Sequence, residues 1–198
     1  IISGYIIGGV NAIILLSLGL FSDHVSYTWY GINILLGFGN GIISAMITLA
    51  ILPYFELLFG ITTNQTLLEL SNLNHPLLKR LMLDAPGTYQ HSLMVSNFSE
   101  AAAEAIDANP TLCRVGGYFH DIGKLKRPLF FYENQLSNNN PHTNIAPRMS
   151  KLIILSHIKE GIELAQKYKL PSIIQNIIAT HHGTSLLTVF YTHAVTIE

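Results

Sequence analysis

Hydrophobic and polar positions divide the chain into two very different parts. Residues 1 to 22 carry no charged side chain and are dense in Ile, Leu and Gly, and a second uncharged run extends from about Tyr30 to Phe55. Each run is long enough to cross a bilayer as a helix, which takes about 20 apolar residues. The polar and aromatic residues from Asp23 to Trp29 predict a turn between the runs. Residues 1–55 therefore predict two transmembrane helices.

Small residues recur in the second run and predict close packing with another helix. They are Gly37, Gly39, Gly41, Ser44 and Ala45. Tyr27, Trp29 and Tyr30 are typical of the aromatic belt at a membrane interface. The alternative interpretation is a very apolar hairpin buried in a soluble protein.

Residues 56 to 87 predict a connector between the membrane helices and the domain that follows. Leucines give this segment amphipathic character, which Pro76 interrupts. The pattern is typical of a juxtamembrane coupling segment that lies at the membrane interface or packs against a partner chain. We interpret His75, directly before Pro76, as structural.

The remainder, residues 88–198, predicts a helical domain, and the fold class is therefore all-α. Thr88 is a candidate N-cap for a helix that ends near Ile106. Asn109 and Pro110 open the next helix, with Asn as the cap and Pro at the first helical position. A long loop rich in Asn and Pro follows at residues 125 to 149.

Two further helices are expected after that loop, one from about Ser150 to Tyr168 and one that opens at Pro171 and ends at Gly183. Helical spacing then places histidines on apolar stripes of four separate helices. The stripes are His91, Val95, Phe98 and Ala102; Leu112, Gly116 and His120; Ile153, His157, Gly161 and Leu164; Ile174, Ile178 and His182; and Ile177 and His181.

Composition supports a membrane protein with a polar domain. Only 12% of the residues are charged, and the mean hydropathy is +0.37. No Lys or Arg precedes Lys79, and all 11 lie between Lys79 and Lys169. Because basic residues favour the cytoplasmic side, we expect the helical domain in the cytoplasm. The single cysteine, Cys113, excludes a disulfide within these residues, and we interpret it as core packing.

The histidines carry the candidate chemistry. A lone histidine on an apolar helix face is usually a satisfied core residue, but burying five imidazoles without partners would cost several kcal/mol. A shared metal centre would satisfy them together. Adjacent His120 and Asp121 supply nitrogen and oxygen ligands. No cysteine joins this group of candidate ligands, which favours Fe or Mn over structural zinc. Asp121 could bridge two such ions. Pairs of metal ions commonly catalyse the hydrolysis of phosphodiesters.

The order H…HD…H…HH resembles the HD superfamily of metal-dependent phosphohydrolases. The match is closer to the seven-transmembrane HD phosphodiesterases, through the segments TLLELSNLNHPLLKRLMLDAPGTYQ (66–90), HDIGKLKRP (120–128), LIILSHIKEGIELA (152–165) and HHGTSL (181–186). The resemblance implies that residues 1–55 are the last part of a larger membrane domain and that the substrate is cyclic di-AMP, cleaved to linear pApA.

The resemblance also implies site roles. One Fe or Mn ion would be held by His91, His120 and Asp121, and the other by Asp121, His157, His181 and His182. Asp121 and Lys124 are the catalytic candidates, and Lys124, together with Arg127, the candidate substrate contacts; Lys124 would meet a phosphate. The implied partners are the cyclic dinucleotide, the lipid bilayer and a second copy of the chain, with no nucleic-acid polymer.

The chain departs from the family pattern at two points. Gln90 stands where the family often has His, which we expect to matter little. The superfamily pattern also ends with a further Asp ligand, and no Asp follows Asp121 here. We therefore expect that the chain is a piece of a longer protein. In this piece the first ion should be held weakly and turnover should be slow.

Two other functions stay open. The HD-GYP phosphodiesterases, which cleave cyclic di-GMP, share HDIGK but have a Gly-Tyr-Pro motif shortly after the paired histidines, where this chain continues with Gly183, Thr184 and Ser185. The other alternative is a membrane receptor whose HD domain binds a nucleotide without hydrolysing it. The intact metal-binding side chains argue against a pure receptor.

Overall fold

The structure, a computed structural model, describes residues 2–21, 26–135, 140–185 and 187–197. Within these ranges the chain forms helices and turns with no strand, which confirms the all-α expectation. The α-helices are α1 (Ile2–Leu20), α2 (Tyr27–Phe59), α3 (Asn64–Leu70), α4 (Pro76–Asp84), α5 (Pro86–Ala105), α6 (Pro110–Phe119), α7 (Pro147–Lys167), α8 (Ser172–Thr180) and α9 (Thr188–Ile197). Contacts divide the chain into two compact units, Ile1–Ile61 and Thr62–Glu198.

The first unit is a hairpin of two apolar helices. Both α1 and the first 30 residues of α2 are long and apolar enough to span a membrane, and most of their side chains are exposed. The helices approach so closely that a Cβ added to Gly41 would lie 2.5 Å from the Gly4 carbonyl oxygen and 2.7 Å from Gly8 N. Gly39, in contrast, has no such neighbour within 4 Å. Small residues therefore pack this hairpin, although not all of those expected.

Helix α2 begins earlier than the sequence suggests. Ser26 is the N-cap of α2 and accepts a hydrogen bond from Trp29 N at 3.2 Å, so Tyr27 and Trp29 lie in the first turn of the helix. The expected turn at 27–29 is therefore wrong, because a serine cap lets the helix begin earlier. The remainder of that expectation, residues 23–25, lies outside the described residues.

The segment expected as a connector, residues 56–87, contributes to the core of the second unit. Leu77, Leu78 and Leu81 of α4 are fully buried in the same cluster as Phe119. Pro76 starts α4 rather than interrupting a helix, because His75 caps it by accepting a hydrogen bond from Leu77 N at 3.3 Å. His75 is thus structural, as expected.

Helix α5 buries a different face from the expected stripe. It begins at Pro86, two residues before the expected cap, so Thr88 lies inside the helix. Thr88, Ser92 and Ser96 form the buried face, whereas Phe98 is 74% exposed. Small residues are needed on this face because a Cβ on Gly117 of α6 would lie 2.5 Å from Ser96 Cα. The close approach expected at Gly117 is confirmed, and it explains why Phe98 points elsewhere.

The described residues of the expected loop, 125–135 and 140–149, consist mostly of short helical turns. The 3₁₀ turns described before α7 are Ile122–Lys126, Pro128–Phe130, Tyr132–Asn134 and Pro141–Asn144. Of its aromatic residues, Phe131 is buried and packs against His157 with the two rings nearly perpendicular, whereas Tyr132 is 86% exposed. Helix α7 starts at Pro147, three residues earlier than expected.

Candidate metal centre

The paired His120 and Asp121 are delivered by the end of α6. Asn109 caps this helix by accepting a hydrogen bond from Leu112 N at 3.0 Å, with Pro110 at the first helical position, as the sequence predicts. The helix ends at Phe119, which is fully buried. The next two residues, His120 and Asp121, are therefore also buried in the second unit. Only 4% of the Asp121 side chain is exposed.

Each carboxylate oxygen of Asp121 faces a different group of histidines. Its Oδ2 lies 3.1 Å from His120 Nε2 and 3.8 Å from His91 Nε2. Its Oδ1 lies 3.5 Å from His157 Nε2 and 3.6 Å from His181 Nε2. The carboxylate therefore stands between two clusters, each able to hold an ion: His91, His120 and Asp121, and Asp121, His157, His181 and His182. All six sequence-predicted ligands are brought together.

Helix geometry aims three of these imidazoles at the centre. Nδ1 of His120 lies 2.8 Å from the Gly117 carbonyl oxygen, and Nδ1 of His181 lies 2.9 Å from that of Ile178. His157 Nδ1 makes the same contact with the Ile154 carbonyl. Because a carbonyl oxygen only accepts, each Nδ1 carries the proton, and in the neutral imidazole Nε2 presents its lone pair to the centre.

The spacing of the imidazole nitrogens suits coordination of a metal ion better than direct contact between the nitrogens. His157 Nε2 lies 3.3 Å from His181 Nε2 and 3.2 Å from His182 Nε2. Lone pairs of neutral imidazoles that converge in this way repel, unless a cation lies between them. Two atoms bound at about 2.1 Å to one ion lie about 3 Å apart when their bonds are at right angles. Asp121 Oδ1 is buried without a hydrogen-bond partner among the described residues, as expected of a ligand atom.

Electrostatics favour an ionised aspartate at the centre. Burial acts to raise the pKa of Asp121, but the adjacent His120 and the Lys124 charge lower it well below its usual range. Burial lowers the pKa values of His157 and His182, which keeps both imidazoles neutral. Burial acts to lower the pKa of His120 as well, but the neighbouring Asp121 carboxylate raises it above its usual value. Metal binding requires an ionised carboxylate and neutral imidazoles, so an ion at that cluster would displace any proton on His120 Nε2.

Lys124 is enclosed beside the candidate metal ligands rather than exposed on the surface. Its Nζ lies 2.8 Å from Asp121 Oδ2 and 2.7 Å from Glu133 Oε1, and 13% of its side chain is exposed. Sequence reasoning missed Glu133, which sits alone between Tyr132 and Asn134 in the long loop. No spacing pattern connects it to Lys124, because a 3₁₀ turn rather than a shared helix brings the two together.

A cavity of about 520 Å³ opens beside the two clusters. His91, His120, Asp121, Lys124, His181 and His182 line it together with Val95, Ser99, Cys113, Gly116, Gly117 and Ile177. Cys113, interpreted as core packing, is half-buried in this wall. Arg127 is not among the lining residues; its guanidinium lies 3.7 Å from Glu160 and 3.4 Å from the Ser156 hydroxyl. Pockets of this size commonly bind small molecules.

The helices and the histidine–aspartate centre define the class of protein. The chain belongs to the HD domain family, whose model matches residues 88–194. Residues 1–63 match a second model, described as a 7TM receptor with intracellular HD hydrolase. Together with the two apolar helices, this match identifies part of a membrane protein and confirms the resemblance stated from the sequence motifs.

Individual relatives are similar over nearly the whole chain. This chain is 45% identical over 190 residues to the cyclic-di-AMP phosphodiesterase PgpH of Bacillus subtilis. It is 43% identical over 194 residues to PgpH of Listeria monocytogenes. Each comparison covers 96% of this chain but 27% of the relative's length. The crystal structure of the L. monocytogenes PgpH HD domain in complex with cyclic di-AMP superimposes with a TM-score of 0.62 at 50% identity, covering 64% of this chain and 59% of that one.

Proposed function

We propose that this chain is the membrane-bound part of a phosphodiesterase that hydrolyses cyclic di-AMP to linear pApA. The observation that carries the proposal is the convergence of six ligand side chains beside a cavity of about 520 Å³, in a chain 45% identical to a cyclic-di-AMP phosphodiesterase. The crystallised relative at 50% identity binds cyclic di-AMP, which supports the same substrate here.

Two divalent ions, Fe or Mn, are the proposed cofactors. His91, His120 and Asp121 would hold one, and Asp121, His157, His181 and His182 the other, because one Asp121 oxygen faces each cluster. When bound, such a pair supplies Lewis acidity to the phosphate and to the attacking water. The described residues offer three ligand atoms to the first ion and four to the second, so we expect the first to be held less firmly.

Lys124 is the proposed contact for the substrate phosphate. It lines the cavity next to both clusters and carries a charge opposite to that of a phosphodiester. Arg127 stays a weaker candidate, since its guanidinium now pairs with Glu160 and would have to turn to reach the substrate. The helical domain is proposed to lie in the cytoplasm, where cyclic dinucleotides are found.

Hydrolysis of two cyclic dinucleotides tests the proposal. The chain, purified in detergent and loaded with Mn²⁺, should convert cyclic di-AMP to pApA faster than it converts cyclic di-GMP. Slow turnover is expected, so the rate is compared with that of Asp121→Asn, which removes the shared carboxylate and should be inactive.

Three outcomes would contradict the proposal. Equal rates on the two dinucleotides would remove the substrate preference, and faster cleavage of cyclic di-GMP would favour the HD-GYP alternative. Tight binding of cyclic di-AMP with no more product than Asp121→Asn gives would favour the receptor alternative.

A further inference from the structure

One contact beside the metal centre has no place in the ligand set. Lys124 Nζ is shared between Asp121 Oδ2 at 2.8 Å and Glu133 Oε1 at 2.7 Å, and its ammonium lies 5.0 Å from the centre of the Phe131 ring. Asp121 Oδ2 is also the oxygen that faces His91 and His120. An ion held by that cluster would compete with Lys124 for the same oxygen, whereas Glu133 belongs to neither candidate metal cluster.

Glu133 is itself held firmly at this point. Its Oε1 accepts a second hydrogen bond, from the Thr88 hydroxyl at 3.0 Å. Asn134 fixes the same turn to α5, because its Oδ1 accepts from Thr88 N at 3.0 Å and its Nδ2 donates to Thr88 Oγ1 at 2.8 Å. A Cβ on Gly87 would lie 1.8 Å from the Glu133 carbonyl oxygen, so only glycine lets the turn approach the helix this closely.

We propose that Glu133 is a positioning residue that holds the Lys124 ammonium at the cavity wall, facing a phosphate of the bound substrate. The inference rests on the proposed function and adds a residue to it. A flexible lysine would lose rotamer freedom when it meets a phosphate, and a fixed partner removes most of that cost beforehand. Glu133 therefore acts through Lys124, while the Thr88 and Asn134 contacts keep it in place.

The first experiment is a double-mutant cycle on cyclic di-AMP hydrolysis by the Mn²⁺-loaded chain. Removing one preorganised cationic donor in Lys124→Met should lower kcat by about 100-fold or more, with a smaller change in KM. Glu133→Gln should lower kcat by about 10-fold, because an amide accepts a weaker hydrogen bond from an ammonium than a carboxylate does. The double variant should be no slower than Lys124→Met alone, since Glu133 has nothing left to position.

Glu163→Gln is the matched control. It makes the same carboxylate-to-amide change in a residue that pairs with a lysine, Lys126, at 3.8 Å on an exposed surface. Its kcat should equal that of the unchanged chain. Glu133→Asp keeps the charge but shortens the side chain, and it should recover part of the activity that Glu133→Gln loses.

A second readout does not depend on turnover. Lysines of the metal-free chain are acylated at fixed pH, and modification is followed by peptide mass spectrometry. Lys124 should react more slowly than Lys126, because 13% of its side chain is exposed against 51% for Lys126. Glu133→Gln should accelerate modification of Lys124 several-fold and leave Lys126 unchanged, and Glu163→Gln should leave Lys124 unchanged.

The outcomes separate this inference from the proposed function. If the unchanged chain hydrolyses cyclic di-AMP but the two substitutions are additive, or if labelling of Lys124 does not respond to Glu133→Gln, then Glu133 does not position Lys124 and the inference is overturned alone. A chain that neither binds nor hydrolyses cyclic di-AMP overturns the proposed function and the inference with it.

Discussion

At the scale of single residues, the site depends on histidines whose direction is set by their own helices. His120, His157 and His181 each donate through Nδ1 to the carbonyl three residues earlier. This contact uses a backbone oxygen near a helix end or along a helix, and leaves Nε2 free for an ion. Local geometry thus orients three of the five imidazoles, and among the described residues Asp121 is the one member that the two clusters share.

Removing one imidazole should therefore empty one cluster and leave the other filled. His157 is 1% exposed and lies within 3.3 Å of both His181 Nε2 and His182 Nε2. His157→Ala should halve the bound Fe or Mn and abolish nearly all turnover, while His91→Ala should remove the other ion. Elemental analysis of the purified variants measures the loss, and circular dichroism checks that the helices persist.

A histidine outside the site serves as the control. His75→Asn retains a capping side chain for α4 and should keep both ions, since His75 packs against Phe119 rather than near Asp121. Full metal content and full activity in His157→Ala would take that residue out of the centre.

At the scale of elements, the sequence predicts what local chemistry decides. Asn109 followed by Pro110 marks the start of α6 because capping needs only neighbouring residues. The buried face of α5 could not be read the same way, because Gly117 brings α6 so close that small polar residues replace the expected apolar stripe. The candidate metal ligands were predictable from residue type and from the resemblance to the HD family, whereas Glu133 depends on a contact with Thr88 across 45 residues.

The packing of α7 against the His120–Asp121 turn gives a prediction at this scale. A Cβ on Gly123 would lie 1.8 Å from the His157 carbonyl oxygen and 2.6 Å from Gly161 N, both backbone atoms of α7. Gly123→Ala should push the helix away, lower the free energy of unfolding by about 1–3 kcal/mol and release the ion held by His157. Thermal melting and metal content measure the two effects.

Gly39→Ala is the control for that substitution, because no such atom lies within 4 Å of the added Cβ. It should leave both the melting temperature and the bound metal unchanged. A Gly123→Ala chain that melts like the unchanged protein and keeps both ions would show that α7 can shift without cost.

At the scale of the whole molecule, the two units have opposite compositions. The hairpin α1–α2 contains no Lys or Arg, and its side chains are largely apolar and exposed. All 11 basic residues lie between Lys79 and Lys169, in the unit that carries the centre. Such asymmetry is typical of a domain retained on the cytoplasmic side.

Cysteine labelling in intact cells tests that orientation. Cys113 is the only native cysteine, so Cys113→Ser gives a background for single introduced cysteines. Tyr27→Cys, at a position 97% exposed near the start of α2, should react with a membrane-impermeant thiol reagent from outside the cell. Glu104→Cys, exposed on α5, should react only after the membrane is permeabilised. The reverse pattern would put the metal centre outside, away from cytoplasmic cyclic dinucleotides, and would contradict the proposed function as well as the topology.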